Sequence, residues 1–259
     1  MIVGTPSGVT LSYEGGAHQS IAAPLIGMSQ DGLAAFEPAF VDELAVIMQW
    51  AFTPMQKDGG SDPDERTWLR DETGGSVYLR LSTNPIEQPG KRQDDAFRQG
   101  TIDGAYWLRK PGPNCEVVIA YQGAVAPEAI KAAGLIAQSR RDIGVLAVTS
   151  ADRLNAGWTA AQRARSRGNA AAQAHVEALL QDLPPHCRLV TVIDGHPATL
   201  AWLGSVVGHQ AIPLGVEHFG QTGTIADLYR HFGIDAASIV EKVGGLTAGR
   251  PTLRRFAGA

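Results

Sequence analysis

From Val117 onward the chain alternates short, continuous apolar runs with helical segments. That alternation narrows the fold to an open α/β sheet with helices on both faces. Val117-Val118-Ile119-Ala120-Tyr121 carries no charged residue, as expected of a strand covered on both sides. Gly123 breaks the run, and a helix is expected over 127–140. A second strand is expected over 144–149. A helix follows over 170–183, stopped by Pro184-Pro185. Residues 189–193 form the third expected strand, with Asp194-Gly195-His196 as its turn. A helix over 199–207 leads to a short fourth strand over 211–216. The helix over 225–232 ends at Gly233, and Asp235 caps a last helix over 236–243. No internal repeat or low-complexity tract interrupts this pattern.

The first third is organised differently. Met1-Ile2-Val3 is a short apolar run followed at once by the turn-like Gly4-Thr5-Pro6-Ser7-Gly8. A strand this short needs neighbours to pair with. A helix is expected to begin near Glu37, with Pro38 in its first turn. Val41, Leu44, Ala45, Met48 and Phe52 recur at three- and four-residue steps, which marks one apolar, core-facing stripe. Residues 56–75 are polar and rich in Gly, Asp and Pro, so a surface excursion is expected there. Residues 77–81 read as a strand. The polar, proline-bearing stretch 84–95 reads as a linker that divides 1–90 from 91–259.

Composition excludes some functions. The net charge is −4, which offers no electrostatic footprint for nucleic acid. No apolar run approaches the ~18 residues of a membrane span. The first residues lack the basic and apolar regions of a secretion signal, so a cytoplasmic location is expected. Cys115 and Cys187 lie far apart in sequence and in no metal-ligand spacing, which predicts buried, idle thiols. Arg163, Arg165 and Arg167 read as a solvated face, and Arg254-Arg255 as a solvated tail.

One segment carries candidate chemistry. Glu14-Gly15-Gly16-Ala17-His18-Gln19-Ser20 sets a carboxylate and an imidazole four residues apart around paired glycines. Glycine lets the backbone approach a ligand closely. A carboxylate and a histidine together can hold and protonate a polar substrate near neutral pH. The plain alternative is a Gly-Gly surface turn that happens to carry a histidine. Asp194-Gly195-His196 superficially suggests the start of a thiamine-diphosphate metal site, but it lacks the leading glycine and the later asparagine, so it reads as a turn.

The loop resembles the Asp-Gly-Pro-Thr-His-Gln-Pro stretch of transketolases, with glycine, histidine and glutamine in register and Glu14 in place of the acid. Transketolases follow it with an arginine that grips the sugar phosphate; here Glu37 stands at that position. Pro38-Ala39-Phe40-Val41-Asp42-Glu43-Leu44-Ala45-Val46-Ile47-Met48 is similar instead to the Pro-Ala, aromatic, Glu-Val-Ala-Val-Ile-Met run of homodimeric pyruvate dehydrogenase E1. Gly4-Thr5-Pro6-Ser7-Gly8, Val148-Thr149-Ser150, Phe219-Gly220-Gln221-Thr222, Tyr229-Arg230-His231-Phe232 and Ile234-Asp235-Ala236 extend the likeness.

The resemblance implies an α/β fold: the trailing part of a thiamine-pyrimidine-binding domain, then a transketolase C-terminal-like three-layer α/β/α domain. It implies a C-terminal segment or subunit of a thiamine-diphosphate-dependent 2-oxoacid dehydrogenase E1, which passes its acyl group to lipoyl. Alternatives are a transketolase acting on sugar phosphates, or a non-catalytic dimerisation or regulatory module. By resemblance His18 and Glu14 are catalytic, while Gln19 and, after a strand end, His218 touch substrate. Thiamine diphosphate and Mg²⁺ are implied for the complete enzyme and none is expected on this chain alone, because both anchors lie upstream of this loop in the E1 pattern. The implied partners are an upstream half or subunit, a homodimer or heteromer, and a lipoyl-bearing E2. The sheet near Met1 is expected to lack strands and to present an unpaired edge.

Overall fold

A computed structural model describes residues 1–30, 32–57, 74–90, 94–139 and 142–247. Most of the expected excursion at 56–75, and the Arg254-Arg255 tail, lie outside the described residues. Two sheets are formed. The smaller contains β1 (Ile2–Gly4), β2 (Leu33–Phe36) and β3 (Ser76–Arg80), all parallel, in the order β1-β3-β2. The short apolar run at the start therefore does find a neighbour in β3. Ile2 and Val3 are exposed at the outer edge.

The larger sheet contains β4 (Ala105–Arg109), β5 (Val117–Gln122), β6 (Ile143–Val148), β7 (Arg188–Ile193) and β8 (Ala211–Leu214). Their order is β4-β6-β5-β7-β8, and only the edge strand β4 runs antiparallel. The continuous apolar runs have a direct cause. Val117, Ile119 and Tyr121 face α4 (Ala126–Gln138) and α9 (Ala236–Thr247), while Val118 and Ala120 face α5 (Ala151–Ser166) and α6 (His175–Leu180). Both faces of each inner strand are covered, so no polar alternation survives. This is the three-layer α/β/α arrangement expected from the sequence.

Several expectations are corrected. The helix expected from Glu37 is α2 (Val41–Ala51) and starts four residues later. The Glu43 carboxylate accepts from the backbone N–H groups of Ala39 and Phe40 at 2.7 and 2.8 Å, which closes the helix start there and leaves Glu37 extended. The stripe is reversed as well. Glu43, Val46, Ile47 and Ala51 are buried, whereas Val41, Ala45, Met48 and Phe52 face outward. Ile47 and Ala51 pack on Phe36, Val77 and Leu79 of the small sheet. The helix carries two apolar stripes, and spacing alone does not choose between them.

The helix expected over 170–183 begins only at His175. Most of the helical mass there is α5, whose Ser150 Oγ accepts from the Arg153 N–H at 3.0 Å. The sequence did not mark α5 because Arg and Gln dilute its apolar face. Arg165 is not merely solvated: its guanidinium pairs with Glu177 at 2.7 Å, tying α5 to α6. The linker segment ends at α3 (Asp95–Asp103), where Asp94 caps the Phe97 N–H at 2.9 Å. The remaining helices are α1 (Ala23–Met28), α7 (Ala198–Ala201) and α8 (Ile225–His231). Among the described residues no helix is long and apolar enough to cross a membrane.

Candidate functional site

Five strand ends converge between the two sheets. Arg80 is the last residue of β3, Glu37 follows β2, Gln122 ends β5, Thr149 and Ser150 follow β6, and Asp194 follows β7. In open α/β sheets this carboxyl end is where ligands bind. Here it is filled by protein. The Arg80 guanidinium donates to the Glu37 carboxylate, to the Ser20 carbonyl at 2.6 Å and to the Asp194 carbonyl at 2.7 Å. The Gln122 amide donates to the other Glu37 oxygen at 2.9 Å, and its oxygen accepts from the Ala151 N–H. The Glu37 N–H reaches the Thr149 carbonyl at 2.8 Å. Asp194 accepts from the Val9 N–H at 3.0 Å and from the Tyr229 hydroxyl at 3.0 Å. Gly123, with φ +69°, lies against Glu37, and a Cβ there would collide with the carboxylate.

Burial pushes the Glu37 carboxyl up to about 7, against the opposing pull of Arg80 and Gln122. Burial raises Asp194 too, opposed by Arg80. Glu37, at the position where transketolases carry the arginine that grips the sugar phosphate, is 2 % exposed and closed by an ion pair with Arg80. The gap bounded by Glu37, Tyr78, Arg80, Gln122 and Asp152 is about 10 Å³, room for about one water and no substrate.

Asp152 sits beside this gap and accepts from the Ala35 N–H at 2.9 Å. Burial pushes it up to about 7. A carboxyl raised in the folded state holds its proton more tightly there. Its stabilising contribution is therefore full below its ordinary value of 3.8 and is lost as pH climbs from there through about 7. Asp152→Asn keeps an acceptor for Ala35 and removes the buried charge. It is expected to raise stability at pH 8 by roughly 1 kcal/mol or more and to change it little at pH 4.5. Urea denaturation at the two pH values measures the difference.

The Glu14–Ser20 loop is built from two successive 3₁₀ turns, Ser12–Glu14 and Gly16–His18. Glu14 and His18 are both exposed. Gln19 is 9 % exposed and fully engaged. Its amide donates to the Gln221 carbonyl at 2.6 Å and to Ser12 Oγ at 3.2 Å, and its oxygen accepts from the Gly220 N–H at 2.8 Å. Gly16 lies so close to the Gly220 carbonyl that a Cβ would not fit. The loop is thus sewn to the segment that bears His218 and Phe219, both exposed. The fold joins the segment carrying Glu14 and His18 to the segment carrying His218. Gln19 is the residue that grips, with both ends of its amide occupied by protein.

Sequence reasoning missed Arg80, Gln122, Asp152, Asp194 and Tyr229. The one available signal was a charge inside an otherwise apolar strand, Arg80 between Leu79 and Leu81. Its partners are 43 and 114 residues away in sequence, at Glu37 and Asp194.

The described residues do not fit a Mg²⁺ site. Among the described residues no group of three His, Cys, Asp or Glu converges. Each fully buried carboxylate already accepts from protein donors: Glu37 from Arg80, Glu43 from Ala39 and Tyr106, Asp194 from Val9.

The family described as transketolase-like TK C-terminal domain matches residues 104–235. A curated relative, the pyruvate dehydrogenase E1 component of Mycolicibacterium smegmatis, is 28% identical over 250 residues, 93% of this chain and 25% of its own length. The chain thus spans about a quarter of that relative. A transketolase variant from Pichia stipitis superposes with a TM-score of 0.67 at 16% identity, covering 95% of this chain and 30% of its own. A split-gene transketolase, solved as an inactive beta4 tetramer, gives 0.62 at 16% identity and covers 95% of this chain and 66% of its own.

Proposed function

The chain belongs to the transketolase-like C-terminal domain family, and from that membership we propose that it supplies the C-terminal part of a thiamine-diphosphate-dependent 2-oxoacid dehydrogenase E1. The observation that carries the reading is the match to a pyruvate dehydrogenase E1 component across 93% of the chain. Residues 1–90 are read as the trailing part of a pyrimidine-binding domain and 91–259 as the C-terminal domain.

The proposed roles follow from exposure and contacts. His18 projects from a braced loop and exchanges a proton with the bound substrate, with Glu14 orienting imidazole or substrate. Gln19 fixes that loop against residues 220 and 221, so the imidazole is held rather than loosely tethered. His218 lies at the rim. No cofactor step is assigned to this chain; thiamine diphosphate and Mg²⁺ are assigned to residues of an upstream segment or partner subunit.

The test is to isolate the tagged chain from its own cells with whatever completes it. The isolate is then assayed with thiamine diphosphate and Mg²⁺. Pyruvate-dependent ferricyanide reduction with CO₂ release is expected. Ketol transfer from xylulose 5-phosphate without 2-oxoacid decarboxylation would overturn the reading in favour of a sugar-phosphate enzyme.

A further inference from the structure

Cys115 and Cys187 are 72 residues apart in sequence, and the fold sets them side by side. They are the chain's two cysteines, both free and both buried. Cys115 stands two residues before Val117 of β5, and Cys187 stands one residue before Arg188 of β7. Val117 and Arg188 are register partners, so both cysteines lie just ahead of adjacent parallel strands. The turn over 112–115 carries the Cys115 side chain into the same buried cluster as Cys187. The Cys187 thiol donates to Cys115 Sγ at 3.8 Å. That contact holds the proton on Cys187 and favours Cys115 as the thiolate of the pair. Side-chain rotation alone must bring the sulfurs to roughly 2.0 Å.

A surface turn leads directly into Cys115. The N–H groups of Gly112 and Asn114 both donate to the Asp142 carboxylate, at 3.0 and 3.2 Å. The Cys115 N–H closes the turn on the Gly112 carbonyl at 3.2 Å. Pro113 and Asn114 are exposed. A groove lined by Trp107, Pro111, Pro113 and Leu183 opens beside the turn, and Leu183 belongs to the same buried cluster as both cysteines. One carboxylate therefore pins the turn that leads into Cys115.

We infer that Cys115 and Cys187 form a peroxide-responsive thiol pair that closes into an intrachain disulfide across β5 and β7. The Cys115 thiolate attacks hydrogen peroxide, the O–O bond breaks, and hydroxide leaves a sulfenic acid on Cys115. The Cys187 sulfur then attacks the Cys115 sulfur, the S–O bond breaks, and the departing hydroxide leaves as water with the Cys187 proton. Two thiols and one peroxide give one disulfide and two waters. The bridge closes a long loop that contains β5, α4, β6, α5 and α6, so the oxidised protein melts higher, by roughly 5–10 °C.

Peptide mapping of the peroxide-treated, folded chain under non-reducing conditions tests this. The expected product is one cross-linked peptide pair joining Cys115 to Cys187, reversed by dithiothreitol, with the higher melting point. Cys187→Ser should leave a Cys115 sulfenic acid that dimedone traps. Asp142→Ala should cross-link several-fold faster in native buffer. Two free thiols after treatment, or sulfonic acids in place of the bridge, would overturn the inference. So would cross-linking that appears only once urea has unfolded the chain. The mapping of the unaltered chain stands whether or not a variant folds.

Discussion

Arg80→Met lowers stability by roughly 3–5 kcal/mol at pH 8, a drop of about 10 °C or more in melting temperature. The reason is what the substitution leaves behind. Arg80 is the common donor to Glu37, to the Ser20 carbonyl and to the Asp194 carbonyl. Methionine fills much of the volume but leaves Glu37 buried without its countercharge. The loss is expected to shrink at pH 5, because a carboxyl already raised to about 7 rises further without Arg80 and is neutral there. Arg80→Met combined with Glu37→Gln should recover a substantial part of it at pH 8, since the orphaned charge is then absent. Denaturation at pH 5 and pH 8 for the two single variants and the double measures the coupling. A loss under about 1 kcal/mol at pH 8 would show that the two sheets are held together by other contacts.

His18→Ala should reduce turnover of the complete assembly by roughly 10²-fold or more, as loss of a positioned proton carrier does. The affinity for thiamine diphosphate should stay within about twofold, because the proposed role of His18 is toward substrate. Its side chain is exposed, so melting temperature should not move. His18→Gln, which keeps a polar group without a titrating one, should remain nearly as slow. Steady-state kinetics with a 2-oxoacid, paired with cofactor titration, separates these effects. Unchanged turnover would remove His18 from the site.

The large sheet was legible from sequence for a simple reason. Strands such as 117–122 and 143–148 are covered on both faces, so they read as unbroken apolar runs too short for a buried helix. The edge strand β4 carries Arg109 and a register shift, and the sequence does not announce it. The α2 stripe was misread because Val41, Ala45, Met48 and Phe52 satisfy helical spacing as well as the buried set does. Only the position of the small sheet selects the face. The loop from Glu14 to Ser20 was legible as a motif, but the use of Gln19 was not. Its partners at 220 and 221 are some 200 residues away, and they reach it only through tertiary packing. Of the Arg80 cluster, only the charge of Arg80 inside an apolar strand was visible in the sequence; its partners were not, for the same reason. Each of its members is an ordinary residue at a strand end until five ends meet.

We propose that this chain carries a braced substrate-side loop and a C-terminal α/β domain while the cofactor is held by other residues. Calorimetric titration of thiamine diphosphate with Mg²⁺ into the chain alone tests it most directly. No binding heat is expected at tens of micromolar ligand, with binding appearing in the assembly isolated through the chain. Micromolar binding by the chain by itself would contradict the account.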